Sequence, residues 1–301
     1  MSLVAPLFDR LWLELAGDGD RDGAGAAAGF ATGRLAGGLL LRDGDRDLAE
    51  EGVGFGVPIL KRGLETIFPG RMDVSQRETN GERTITATFH LNLVERLAAP
   101  GSRSLSSPAL YTAKNALAAL HRRAPVLRAP LTGLSSALRR SFGWVTTFEE
   151  AGKRAAALTL TYTVVGSRGS LLVAVDATAL PADGATTVVV MNEQGAHAFD
   201  GYRDVSGRML RGAAIGTWDE VTAPAASFVC DERRVAFSLG RVAGARLYRG
   251  RELIGSRVAW SGFGYSFPAA LGTMAYELRI ERLPGGDRAP TSAPAKTAAA
   301  P

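Results

Sequence analysis

Cysteine is almost absent from this chain: its 301 residues include only Cys230, so no intrachain disulfide can form. Cys230 ends the apolar run Ala226–Cys230, which indicates a buried thiol rather than a nucleophile. Long apolar runs are missing too, since no window approaches the ~18 uninterrupted apolar residues of a membrane span. The segment Met1–Leu15 interleaves charged and apolar residues, unlike a secretory signal peptide. These absences predict a soluble protein in the cytoplasm.

Signature motifs for nucleophilic, phosphate and metal chemistry are also missing. The chain has no G-x-S-x-G, no phosphate-binding loop, no H-E-x-x-H and no cysteine pair for zinc. Its three histidines, His90, His121 and His197, lie far apart in sequence. We therefore expect no cofactor and no metal site of a recognised motif. The sequence leaves open whether the protein is an enzyme.

Acidic residues are absent between Arg96 and Glu149, in a chain whose formal net charge is +5. The same stretch holds the clearest helical periodicity: Ser107 can cap a helix and Pro108 suits its first position. We therefore predict a short helical insertion over residues 107–141 in a protein that is otherwise β. Four arginines in it suit bidentate recognition of phosphates, sulfates or carboxylates: Arg122, Arg123, Arg139 and Arg140.

Three other roles for the basic insertion are a helix on a membrane surface, binding of duplex nucleic acid and a solvated face. Its apolar stripes are rich in alanine and lack a central Trp or Phe, which argues against a helix lying on a membrane surface. No recognised recognition module surrounds it, which argues against duplex nucleic acid. A solvated face, balanced by acidic loops elsewhere, is the simplest alternative to an anion-binding surface.

Strand patterns cover most of the remaining chain. In 84–94, aliphatic residues alternate with threonines, and the preceding Asn80-Gly81 suits a type I′ hairpin turn. Strand patterns that recur about every ten residues, with Gly-rich turns, predict a large antiparallel β-sandwich rather than a βαβ sheet. The predicted strands are 11–15, 30–41, 53–60, 64–68, 72–77, 84–94, 158–164, 171–175, 186–191, 209–215, 227–230, 235–239, 245–248, 257–260 and 274–280. We predict one β-sandwich domain over residues 1–283 and a disordered Pro/Ala-rich tail over 284–301.

A polar cluster over residues 191–204 follows an apolar strand pattern, and we predict that it forms a loop. Glu193 and Asp200 are candidates for the acid/base pair that sugar chemistry uses. His197 is a candidate general base near neutral pH. The alternatives are ligand binding without catalysis, and a polar connection whose side chains only cap turns and pair with nearby arginines.

Aromatic and glycine residues near this cluster extend the candidate site. Tyr202 and Trp218 are candidates to stack on a sugar ring. The run Glu51–Val57 places glycines on alternate positions, which leaves one strand face bare for another backbone or a ligand. We therefore add Glu51 to the predicted ligand-binding residues, with strand packing as the structural alternative.

The pentapeptide Asp-Gly-Asp-Arg-Asp occurs twice, at 18–22 and 43–47. Alternating carboxylates in a loop can hold Ca²⁺, but neither copy has the glutamate or flanking helices of an EF-hand. We predict solvated hairpin turns at both copies.

The predicted architecture resembles, at the level of fold class, the large β-sandwiches common among proteins that bind or cleave carbohydrates. This resemblance implies a carbohydrate-binding or carbohydrate-active protein, with an acidic glycan as one candidate ligand. The alternative is a non-catalytic interaction or structural protein whose basic insertion binds an acidic partner.

Overall fold

The computed structural model describes residues 8–15, 35–43, 46–48, 54–63, 65–79, 82–98, 145–165, 169–254 and 258–284. The predicted helical insertion over residues 107–141, with the ligand candidates Arg122, Arg123, Arg139 and Arg140, lies outside these ranges. So do Glu51, the first Asp-Gly-Asp-Arg-Asp copy and the tail from residue 285 onward. Those predictions stay predictions.

Strands dominate the described ranges, which contain no α-helix, so the mainly β, antiparallel prediction is confirmed. In chain order the strands are β1 (Phe8–Leu15), β2 (Leu35–Asp43), β3 (Arg46–Asp47), β4 (Gly54–Arg62), β5 (Glu65–Thr79), β6 (Glu82–Ala98), β7 (Val145–Glu150), β8 (Ala156–Val165), β9 (Ser170–Asp176), β10 (Thr186–Gly195), β11 (Gly201–Asp204), β12 (Met209–Arg211), β13 (Asp219–Glu220), β14 (Ala225–Cys230), β15 (Val235–Gly240), β16 (Arg246–Ile254), β17 (Val258–Pro268) and β18 (Thr273–Arg282). Three short 3-10 turns interrupt them: Gly152–Arg154, Gly212–Ile215 and Ala269–Leu271.

The strands form two packed layers joined by continuous pairing. One layer runs in the order β4, β10, β17, β16. The other runs in the order β11, β14, β15, β18, β9, β8, β6. Strand β5 pairs with both β4 and β6 and so connects the layers. All of these pairs are antiparallel, whereas β1 and β2 pair in parallel.

Alternation of side chains explains why these segments form strands. In β6, Ile85, Ala87 and Phe89 are buried, and the threonines between them lie on the opposite face. Strand β8 repeats the pattern in register with β6, so that the hydroxyl oxygens of Thr88 and Thr159 lie 3.3 Å apart. The two strands therefore share one apolar face, which packs in the core, and one threonine-rich outer face.

Aromatic rings fill the core between the layers. Phe55 of β4 contacts Phe237 of β15 edge to face at 5.0 Å, and Phe263 of β17 contacts Phe228 of β14 at 4.8 Å. Each such pair contributes roughly 1 kcal/mol beyond the area that it buries. Cys230 is buried as predicted, and burial raises the pKa of its thiol.

Several strand boundaries differ from the prediction. The predicted strand 209–215 stops at Arg211, because Gly212 takes a left-handed φ of 52° and begins a 3-10 turn. Strands β3, β7, β11 and β13 were not predicted. In the second Asp-Gly-Asp-Arg-Asp copy, Asp43 pairs with Arg46 in an antiparallel register, as expected for a hairpin.

Membrane and metal features are limited in the same ranges. The structure shows no helix there with the length and apolar character needed to cross a bilayer. It also shows no group of three or more His, Cys, Asp or Glu side chains there that could hold a metal ion.

A buried polar network links the layers across the core. The Asn192 side-chain oxygen, on β10, accepts hydrogen bonds from the Gly56 backbone N–H at 3.2 Å and from the Tyr276 hydroxyl, on β18, at 2.8 Å. Both acceptor interactions lie in a water-poor interior, where an unpaired polar group is costly. Asn192 therefore holds β10 in a fixed position relative to β18 of the opposite layer.

We expect Tyr276→Phe to lower the free energy of unfolding by about 1 kcal/mol, because it removes one buried hydrogen bond. Urea denaturation of both proteins measures the change. Tyr248→Phe is the control, because Tyr248 is half-buried and its hydroxyl faces Arg246 at the surface. Equal losses in the two variants would contradict the role given to the network.

Candidate functional site

Glu193 lies inside a central strand, and the prediction of a loop over 191–204 is wrong for its first five and its last four residues, which belong to β10 and β11. Strand β10 continues through Gly195 and pairs with β4 on one side and β17 on the other. Glu193 stands opposite Gly54 of β4 and Gly262 of β17. Neither of these glycines adds a side chain beside Glu193.

The two faces of β10 carry different chemistry. Asn192 and Gln194 point toward the core, where the Gln194 amide accepts from the Leu41 N–H at 3.0 Å and donates to the Leu39 carbonyl at 3.2 Å. Strand alternation puts Glu193 on the other face, which is the outer face of this layer. That outer face also holds a small separate apolar cluster: Val57, Ile59, Val189 and Met191, with Phe68 and Trp218 packed against it.

The Glu193 carboxyl is an unusual buried group. It is 1% exposed, and neither of its oxygens has a hydrogen-bond partner among the residues that the structure describes. Burial raises the pKa of this carboxyl well above its ordinary value, and the Glu252 carboxylate raises that pKa further. An unpaired buried carboxylate is strongly disfavoured, so burial favours the protonated form of Glu193, whose O–H is a hydrogen-bond donor.

Beside Glu193 the outer face of the sheet is bare. Gly262 stands opposite Glu193, and Gly250 of β16 stands opposite Gly262. Together with Gly264, two residues along β17, these residues form a strip that we call the glycine floor (Gly250, Gly262 and Gly264). A Cβ atom at Gly264 would lie 2.8 Å from the Trp218 ring, and one at Gly250 would lie 3.0 Å from the Trp260 ring. Side chains at these positions would therefore exclude the indoles.

Two indoles, the tryptophan pair (Trp218 and Trp260), lie on the glycine floor. Their ring centroids are 4.8 Å apart and their planes differ by 27°, which is a stacked arrangement. Trp260 is 7% exposed, whereas Trp218 on top of it is half-buried. The pair therefore offers an apolar ring surface next to a buried carboxyl.

Trp218 reaches this position on a strained loop. Its φ is 58°, a left-handed value that costs a non-glycine residue roughly 1–2 kcal/mol. Gly216, two residues earlier, has a φ of 84°, and its carbonyl accepts the Arg251 N–H at 2.9 Å. The loop over residues 212–218 thus bends at Gly216, is held to β16 there, and places the Trp218 ring over the floor.

The other predicted site residues of the 191–204 cluster lie in different environments. His197 is exposed, and Asp200 is partly exposed and forms an ion pair with Arg211 at 3.5 Å. Tyr202 is 2% exposed, and its ring packs in the core with the Arg249 guanidinium 4.9 Å from the ring centroid. Its hydroxyl donates to Asp204 at 3.0 Å, and burial raises the pKa of Tyr202 to about 12. The Tyr202 ring therefore presents no face to solvent for a sugar, in contrast to the stacking role expected from the sequence.

The sequence analysis missed Trp260, Glu252 and the glycine floor. A signal for them was present in Trp260–Tyr265, where Gly262 and Gly264 alternate with aromatic residues. That alternation leaves one strand face bare in the same way as the glycines near Glu51. Compared with known proteins, the chain matches no protein-family model and no curated protein.

Proposed function

We propose that the protein binds carbohydrate at the site formed by the tryptophan pair, the glycine floor and Glu193. The observation that carries the proposal is the stacked tryptophan pair lying on bare backbone beside a buried carboxyl that has no hydrogen-bond partner among the described residues. Sugar rings have apolar C–H faces that pack on indoles, and hydroxyl edges that need hydrogen-bond partners. The site supplies both kinds of surface.

In this proposal the sugar ring enters between the two indoles. Trp218 moves with its loop, since Gly216 provides a bend, and the left-handed strain at Trp218 lowers the cost of leaving the ligand-free position. The ring then packs on Trp260 over the glycine floor, and a hydroxyl oxygen of the sugar accepts a hydrogen bond from the Glu193 O–H. Trp218 closes on the opposite face of the ring.

The same groups favour an uncharged glycan over an acidic one. A neutral Glu193 donates to a hydroxyl, and Glu252 on the same sheet face adds negative potential that disfavours a carboxylate or sulfate. An acidic glycan would depend instead on the insertion arginines. We therefore propose neutral oligosaccharides as the ligand class.

Titration calorimetry against a panel of neutral and uronate-containing oligosaccharides tests the proposal. We expect binding to at least one neutral glycan, and Trp260→Ala is expected to weaken it at least tenfold, which corresponds to about 1.4 kcal/mol. Leu172→Ala is the control, because it removes an apolar side chain that is 45% exposed on β9, in the other layer. Unchanged glycan affinity in Trp260→Ala, or an equal loss of affinity in the control, would contradict the proposed site.

A further inference from the structure

We infer that the same site hydrolyses glycosidic bonds, with Glu193 as general acid and Glu252 as general base. This inference rests on the proposed carbohydrate binding. The two glutamates lie on the same outer face of one layer. Glu193 is opposite Gly262, and Glu252 is opposite Trp260, two residues from Gly262 on the same strand. Between them the described sheet contributes Gly262, Gly250 and the Trp260 side chain, and the Trp218 ring lies over this strip.

The separation of the two glutamates suits a sugar and a water molecule. Strand β17 lies between β10 and β16, so the two residues are two strand spacings apart and offset by two residues. Standard sheet dimensions then place their Cα atoms about 12 Å apart. Enzymes that invert the anomeric configuration need carboxyl groups roughly 6.5–9.5 Å apart, so that water fits beside the sugar ring. Glutamate side chains that lean toward each other over the floor reach that range.

The environments of the two carboxyls are unequal, as acid/base catalysis requires. Glu193 is 1% exposed without a hydrogen-bond partner, whereas Glu252 is partly exposed. Burial therefore favours the protonated form of Glu193, whereas Glu252 is in contact with solvent. In acid/base active sites, the acid and the base are usually two titratable groups whose pKa values are separated by different surroundings. The raised pKa of Glu193 has the direction that a general acid needs.

The reaction balances with water as the only co-reactant. Glu193 gives its proton to the glycosidic oxygen as the bond from that oxygen to the anomeric carbon breaks, and the leaving sugar departs as an alcohol. A water molecule attacks the anomeric carbon from the opposite face while Glu252 takes one of its protons. Proton exchange with solvent returns Glu193 to its acid form and Glu252 to its carboxylate form.

The test uses the full chain and every neutral glycan that the calorimetric panel shows to bind. Each is incubated in ¹⁸O-labelled water, new reducing ends are measured by mass spectrometry, and the anomer formed first is identified by proton NMR. We expect labelled reducing ends of inverted configuration. Glu193→Gln and Glu252→Gln should each lower the hydrolysis rate at least about hundredfold while glycan affinity changes by less than about tenfold. Glu277→Gln, on β18 of the other layer, is the control and should keep the wild-type rate.

The outcomes separate this inference from the proposed function. Binding without new reducing ends overturns hydrolysis and leaves carbohydrate binding standing, whereas absence of binding to the whole panel overturns both. A rate that persists in Glu193→Gln overturns the acid assignment, and a product of retained configuration overturns the base role of Glu252. Because Glu252 is partly exposed, its variant still decides the outcome if substitution of the buried Glu193 prevents folding.

Discussion

Replacing Glu193 by leucine is expected to raise the free energy of unfolding at neutral pH by about 2 kcal/mol. The carboxyl is buried without a hydrogen-bond partner, and strand alternation puts it on the face of Val189 and Met191. A leucine has a similar volume, loses no hydrogen bond and adds apolar surface to that cluster. Urea denaturation of the variant and the wild type at pH 7 measures the difference.

The stabilisation by Glu193→Leu should also depend on pH. Folding raises the pKa of the Glu193 carboxyl above its ordinary value of 4.5, so the folded chain holds this proton at pH values where the unfolded chain has lost it. The contribution of Glu193 to stability is therefore present below pH 4.5 and is lost as the pH rises through the raised pKa of the folded state. The gap between variant and wild type should widen from acidic to alkaline pH.

Gln194→Leu is the matched control, one position along the same strand. It should lower the free energy of unfolding by about 2–3 kcal/mol, because it leaves the Leu41 N–H and the Leu39 carbonyl without their buried partner. Opposite signs at two adjacent buried positions would show that the unpartnered carboxyl, and not the change to leucine, causes the stabilisation. The same sign in both variants would contradict the assignment.

A carboxyl that lowers the stability of its own fold calls for an explanation in function. Proteins keep buried polar groups without partners mainly where binding or catalysis uses them. Glu193 also stands beside the only stacked tryptophan pair that the described ranges contain. Both facts favour a binding site at this position over a purely structural role for Glu193.

Local pattern was sufficient to predict most of the strands. In β6 and β8, apolar residues alternate with threonine, over 84–89 in β6 and 158–164 in β8, and the two strands pair in register. Predicting these strands required only that alternation and the turn residues between them. The continuation of β10 through Glu193 could not be predicted in that way, because polar residues in sequence resemble a loop.

The candidate site was predicted only in part for a related reason. Glu193 and Trp218 were chosen from their residue types, yet their setting depends on pairing between distant segments. Gly54 and Gly262 flank Glu193 from strands more than sixty residues away on either side. Which face of a strand is bare, and which carboxyl is buried, follows from that register and not from any short motif.

Gly262→Ala is expected to destabilise the protein by about 4 kcal/mol, the largest single effect that we predict. A Cβ atom at this position would lie 2.1 Å from the Asn192 carbonyl oxygen and 2.7 Å from the Glu193 Cα. Both atoms belong to the backbone of β10, so the added methyl group can fit only if β10 and β17 separate. Urea denaturation measures the loss, and a change below about 1 kcal/mol would show that the floor tolerates side chains.

Gly264→Ala, two residues along β17, is the control for the floor. Its Cβ would meet the Trp218 ring at 2.8 Å, and that ring is the far end of a side chain on a loop that bends at Gly216. The indole can move away, so we expect a loss of less than about 1.5 kcal/mol in stability. Displacement of Trp218 toward water should shift the fluorescence maximum to longer wavelength and weaken glycan binding. If Gly264→Ala instead destabilises as much as Gly262→Ala while the emission stays unchanged, Trp218 is a fixed part of the core and cannot open for a sugar ring.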